Sequence, residues 1–111
     1  MIDLSKNVIA LVELVFDDGS GSKKRPAYLL KKDSDSLFVF KITTKFANKS
    51  PQMKEHYFEI IDTVYAGLNS KSWIDTYEIR TIPVSGNLKV YLLGMLSDND
   101  FNRFEKYMLS K

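Results

Sequence analysis

Cysteine is absent from this 111-residue chain, which removes disulfide staples, thiolate nucleophiles and cysteine-based zinc sites. The absence also fits a reducing compartment. A single histidine, His56, rules out any mechanism built on two histidines as paired acid and base. No run approaches the roughly 20 apolar residues that a membrane helix needs. The start, Met1-Ile2-Asp3-Leu4-Ser5-Lys6, lacks a basic segment followed by a long apolar one. No membrane partner is expected, and the expected location is cytoplasmic. Excess charge of one sign is missing too: 16 basic against 14 acidic residues leave only +2, so affinity for a polyanion has to come from local clustering. Repeats, low-complexity tracts and linkers are also lacking, so residues 1–111 read as a single domain.

What is present is ordinary for a folded protein, with 44% hydrophobic and 27% charged residues. Val8 to Phe16 is rich in β-branched and apolar residues and is closed by Asp17-Asp18-Gly19, which predicts a largely buried strand. Tyr28-Leu29-Leu30 predicts a second strand, Lys31 to Ser36 a polar turn, and Leu37 to Thr43 a third strand. Residues 48–55 form a polar break containing Pro51, and His56 to Ile61 reads as a short strand. After a turn at Gly67 to Ser70, Ser72 to Ile82 predicts a strand that ends at Pro83 and Gly86. Leu88 to Leu96 supplies another, interrupted by Gly94. The tail changes period. Ser97 offers an N-cap with Asp100 three residues on, and Phe101, Phe104 and Met108 lie at i, i+3 and i+7, so an amphipathic helix is expected over the sheet. The fold class is mainly β (α+β): a small, strongly bent antiparallel barrel closed by a C-terminal helix.

The segment Asp17 to Leu30 carries the strongest chemical signal. Gly19, Ser20, Gly21 and Ser22 leave backbone N–H groups able to face an anion, and Lys23, Lys24 and Arg25 supply three consecutive cations. Pro26 then stiffens the exit and favours an extended Arg25. A second basic group, Lys41, Lys45 and Lys49, falls near the end of the third strand.

The apolar strand Ile9 to Phe16, the run Gly19 to Ala27, the strand ending Ile42-Thr43-Thr44, the pair Gly67-Leu68, the run Ile79-Arg80-Thr81-Ile82 and the closing Leu96-Ser97-Asp98 helix start follow one another in a definite order. That ordered set resembles the MazF/PemK family of toxins from type II toxin–antitoxin systems. The resemblance implies an SH3-like barrel and a metal-independent endoribonuclease with no cofactor. Such an enzyme cuts single-stranded RNA by attack of the 2′-hydroxyl, leaving a 2′,3′-cyclic phosphate and a 5′-hydroxyl. It also implies a homodimer inhibited by a cognate antitoxin lying across the RNA groove. Where some members carry an arginine and an aspartate ahead of the Arg-Thr-Ile segment, this chain has Asp75 and Tyr77.

Under the resemblance, Arg25 and Thr43 are the catalytic residues. Arg25 stabilises phosphorane charge, because a guanidinium offers forked donors and stays protonated. Thr43 donates to a non-bridging oxygen or orients the 2′-hydroxyl, with Thr44 as its rival. Ser20, Ser22, Lys23, Lys24, Thr44 and Lys45 contact the RNA, and the 17–24 loop gates the groove. Taken one at a time these residues have plainer readings. Arg25 is then a strand-end arginine paired with Asp17, Asp18 or Glu13, and the basic loop a solvated hairpin. Lys41 and Lys45 extend the basic track or merely blunt a strand edge. Trp73, Tyr77 and Tyr91 stack on bases or pack in a core or dimer contact. His56 reads as a bystander, and Asp17/Asp18 and Asp98/Asp100 as turn and helix-cap acids rather than metal ligands. The alternative to a nuclease is a non-catalytic SH3-like module that binds protein or nucleic acid.

Overall fold

The computed structural model describes residues 7–15, 20–84 and 87–111. Asp17 and Asp18, the 17–19 part of the expected gating loop, and Gly86 lie outside them. The elements are β1 (Val8–Val15), β2 (Ser22–Lys32), β3 (Ser36–Thr43), α1 (Pro51–Lys54), β4 (Tyr57–Ile60), β5 (Ser72–Pro83), β6 (Leu88–Met95) and α2 (Asp98–Leu109). The six strands form one antiparallel sheet in the order β4-β5-β3-β2-β1-β6. The first and last strands are therefore neighbours, and β3 is flanked by β2 and β5.

Two boundaries differ from the sequence expectation, and both extend β2. Ser22, Lys23 and Lys24 are strand rather than loop, because they pair with Val15, Leu14 and Glu13 of β1. Lys31 and Lys32 also stay in the ladder, opposite Phe38 and Leu37. The turn shrinks to the residues around Asp33, whose carboxylate accepts the N–H groups of Asp35 (2.9 Å) and Ser36 (2.7 Å). Those two bonds hold the Asp33 carboxyl below its usual range. The polar break contains the one-turn helix α1, capped by Ser50 Oγ, which accepts from Met53 N at 3.2 Å.

Both faces of the sheet carry an apolar layer. Ile9, Tyr28, Phe40, Phe58 and Ile74 belong to the layer covered by α2, while Val8, Val12, Ala27, Val39 and Leu37 form the other, with Ile82, Leu88 and Val90 against it. Strand alternation makes the division: Ile9 and Val8, or Tyr28 and Ala27, are successive residues on opposite faces. Helix α2 seats Phe104 between Tyr28 and Phe58, edge to face at ring-centre distances of 5.3 and 5.0 Å.

The helix start is fastened by polar groups. Ser97 Oγ accepts from Asp100 N at 3.1 Å, as a capping serine should. The Asp100 carboxylate is fully buried and reaches across to the chain after β4, accepting from Ile61 N (3.2 Å) and Asp62 N (2.8 Å). Arg103 closes the pair at 2.7 Å, and Asp62 in turn accepts from the Ser97 hydroxyl. The acid of the expected capping pair is thus a tertiary clasp that ties α2 to the edge of the sheet.

Strands β4 and β6 are the two sheet edges and do not pair, so the ladder is open. The loop after β4 nevertheless reaches β6, where Met95 N donates to Tyr65 O at 3.4 Å. Two glycines permit the crossing. A Cβ on Gly67, whose φ is +76°, would lie 2.1 Å from Leu93 O, and one on Gly94 would lie 2.5 Å from Tyr65 O. Among the described residues no helix is long and apolar enough to cross a membrane.

Candidate functional site

On the face away from α2 the sheet forms an open groove of about 530 Å³. Its apolar lining comes from Val12 of β1, Pro26 and Ala27 of β2, Val39 of β3 and Ile82 of β5. Four cations surround that lining: Lys23, Arg25, Lys41 and Arg80, with Thr81 beside them and, among the described residues, no carboxylate. The arrangement follows from alternation and register. Lys23, Arg25 and Ala27 are successive same-face residues of β2; Arg25 sits opposite Val12, and Ala27 opposite Lys41. Arg80 enters from the other side because it pairs with Val39.

The same alternation divides the basic run of the sequence. Ser22 and Lys24 stand on the opposite face from Lys23 and Arg25. There Ser22 Oγ donates to Glu13 Oε2 at 2.6 Å, and Lys24 Nζ lies 3.9 Å from the same oxygen. The Ser22 bond is the main reason the Glu13 carboxyl is held below its ordinary range. Lys24, the Tyr91 hydroxyl and Lys89 act in the same sense, and burial opposes them. Glu13 therefore serves Ser22 and Lys24 rather than Arg25. Among the described residues the Arg25 guanidinium makes one hydrogen bond, to Lys24 O at 3.0 Å, and the residue is exposed. Arg80 is paired with Glu78 at 3.1 Å, with both side chains about half exposed. Among the described residues the side chains of Lys23 and Lys41 make no hydrogen bond or ion pair.

Thr43 is not among the groove's lining residues. It has the same face parity as Lys41 and pairs with Trp73 of β5. Its Oγ1 accepts from Lys45 N at 3.0 Å. A hydroxyl that accepts there still has its own proton to donate. Thr44 and Lys45 are exposed on the turn that follows, and Ser20 is exposed at the start of β2.

Beyond Thr43 the same face carries an aromatic cluster. Phe46 stacks on Trp73 at 4.6 Å with planes 3° apart, and its ring centre is 6.1 Å from that of Tyr57. Lys54 lies 4.9 Å over the Phe46 ring. Trp73, considered from sequence as a base-stacking residue, is therefore already stacked and is buried. Tyr57 is pushed up by burial and by the Asp75 carboxylate beside it. Tyr91 gives its hydroxyl to Glu13 Oε1 at 3.3 Å. Tyr77 is different, being 59% exposed.

Arg80 was the functional residue that sequence reasoning left out of the site. Alternation from Ile82 places it on the groove face, but its neighbours on β3 depend on a pairing irregularity that composition does not announce. The described residues contain no cluster of three or more His, Asp or Glu side chains arranged to hold a metal. The groove offers forked and single-point cationic donors above an apolar lining, a combination suited to phosphates joined to flat, weakly polar groups. Comparison of the chain with protein-family models, with curated proteins and with solved structures found no match.

Proposed function

We propose that this protein is a metal-independent endoribonuclease toxin of the MazF/PemK type, acting on single-stranded RNA, with the cationic groove as its phosphodiester site. One observation carries the reading: Arg25, Lys23, Lys41 and Arg80 surround a single groove in which no described residue contributes a carboxylate to the lining. Such a site attracts a polyanion although the chain as a whole is nearly neutral. In this reading the 2′-oxygen attacks its own phosphorus and the bond to the 5′-oxygen breaks. The 2′-hydroxyl loses a proton and the leaving oxygen gains one. Arg25 stabilises the charge that develops on the phosphorane oxygens, a role worth roughly 3–4 kcal/mol of barrier for a well-placed donor. Thr43 orients the reacting groups through its hydroxyl proton.

Lys23 holds the strand inside the groove, while Ser20, Thr44 and Lys45 flank it; Ser22 and Lys24, expected from sequence to contact RNA, instead hold Glu13 on the other face. The curled sheet with its bridging 61–68 loop is then an SH3-like barrel. Two copies supply a composite groove, because one small sheet cannot enclose several nucleotides. A cognate antitoxin covers that groove with an acidic or aromatic segment. The cell compartment is the cytoplasm.

The test is cleavage of a long single-stranded RNA in excess EDTA by the wild type beside Arg25→Ala. The expected result is discrete fragments with cyclic-phosphate ends, lost in the variant. A second reading, a non-catalytic RNA-binding module, is favoured by one observation: among the described residues no carboxylate or imidazole lines the groove to move the two protons. Intact RNA that nonetheless binds the folded wild type would establish that reading in place of the nuclease.

A further inference from the structure

Strand β5 leaves its ladder beside the groove. Val39 pairs with Arg80 and Lys41 with Asp75, so residues 76–79 of β5 span a stretch where β3 has only Phe40. The three additional residues are expelled as a bulge between two groove cations, Lys41 and Arg80. On that bulge Tyr77 and Ile79 are 59% and 57% exposed. Two large side chains thus stand together in solvent beside the cationic groove.

The Tyr77 ring is also held in place. His56 meets it edge to face at 5.2 Å, and the Tyr77 backbone N–H donates to Asp75 Oδ1 at 3.0 Å. The preceding residue is pinned as well: Thr76 donates both its N–H (2.7 Å) and its hydroxyl (2.8 Å) to His56 O. The bulge is therefore a fixed projection. It holds an exposed aromatic ring three residues from Arg80.

We propose that Tyr77, backed by His56, is a nucleobase-stacking platform that receives the base of a nucleotide whose phosphate rests on Arg80 or Lys41. This rests on the reading of the groove as a single-stranded RNA site, and it names where a base is gripped rather than a phosphate. Stacking on an aromatic face is tolerant of base identity and complements cations that hold only the backbone. Charge complementarity selects the occupant, since a partner with a flat apolar group linked to an anion fits both halves of the site. Glu78, paired with Arg80 at 3.1 Å, is displaced when phosphate takes that guanidinium.

The experiment measures binding by fluorescence anisotropy of two labelled probes: a mixed-sequence 2′-O-methyl oligonucleotide, which cannot be cleaved, and a backbone-matched oligomer of abasic sites. Wild type, Tyr77→Ala, Tyr77→Phe and Arg25→Ala are compared, each checked for fold by circular dichroism. Tyr77→Ala should weaken binding of the base-bearing probe about ten-fold, as loss of one stack does. It should leave the abasic probe and the salt dependence unchanged. Tyr77→Phe should bind like the wild type, and Arg25→Ala should weaken both probes. If Tyr77→Ala matches the wild type on the base-bearing probe while Arg25→Ala weakens it, the platform is overturned and the groove reading stands. If the wild type binds neither probe, both fall together.

Discussion

On one face of the sheet Tyr28, Phe40, Phe58 and Ile74 lie under α2; on the other, Val12, Ala27, Val39 and Ile82 line a groove open to solvent. The two apolar layers use similar residues and arise from the same strands, alternating through successive positions. They differ in what covers them. A helix with its own aromatic residue seals the first, and its first turn is clasped by a fully buried Asp100. The second is surrounded by Lys23, Arg25, Lys41 and Arg80, which cannot pack together without mutual repulsion, and so it stays open. The aromatic packing and the Asp100 clasp therefore lie under the helix, and the cations gather on the far face.

That separation can be broken from either side. The largest effect is expected from Phe104→Ala, which removes the ring between Tyr28 and Phe58 and should cost about 3–5 kcal/mol in urea unfolding. A comparable loss from a groove variant would show that the two faces are not energetically distinct. Arg25→Ala should do the reverse. Its stability should stay within about 0.5 kcal/mol of wild type, while RNA cleavage falls about 10²–10³-fold.

Asp100→Ala comes next, at about 2–3 kcal/mol, because it leaves the Ile61 and Asp62 N–H groups and Arg103 without their shared acceptor. Equilibrium unfolding beside Asp98→Ala, an exposed acid of the same helix turn, isolates the clasp from a simple dipole effect. Salt sharpens the other side. If three or four phosphates rest on the groove cations, the logarithm of RNA affinity should fall with the logarithm of salt at a slope of about −2 to −3. Lys41→Ala should make that slope shallower by about 0.7.

The smallest effects are pH-dependent and point in opposite directions at Tyr28 of β2 and Glu13 of β1. Burial raises Tyr28 above the ordinary tyrosine value, so its contribution is fully present below that value and lost as pH rises through the folded one. Tyr28→Phe should blunt alkaline unfolding. Glu13 is lowered, chiefly by Ser22, so its contribution is present above the ordinary glutamate value and lost as pH falls through the folded one. Glu13→Gln should blunt the acid-side loss, read from thermal melts across the pH range.

Much of the secondary structure was legible in residue order. The Val8–Val15 strand, the Leu37–Thr43 run and the Ser97-capped helix with Phe101, Phe104 and Met108 all follow local rules of period and capping. Ser22 to Lys24 misled because glycine and serine read as loop, whereas pairing with β1 recruited them into β2. Of the two readings open for Trp73, base stacking or packing, the structure shows packing: its face is taken by Phe46, 27 positions away in the chain.

For the site, Lys23 and Arg25 were legible as a basic cluster, and so was the difference in face between neighbouring strand residues once a strand was granted. Arg80 was not, because its place beside Val39 follows from the β5 bulge. What the sequence by itself determined was therefore the local alphabet of this protein: apolar alternation, the helix cap, the basic run and the exclusions set by missing cysteines and histidines. Only the tertiary structure decided which cations share a groove, that Asp100 clasps the chain after β4, and that Tyr77 stands out from the sheet. The physical reason is that cross-strand register and helix docking are long-range equilibria. They are settled by the burial of both sheet faces together, which no window along the chain contains.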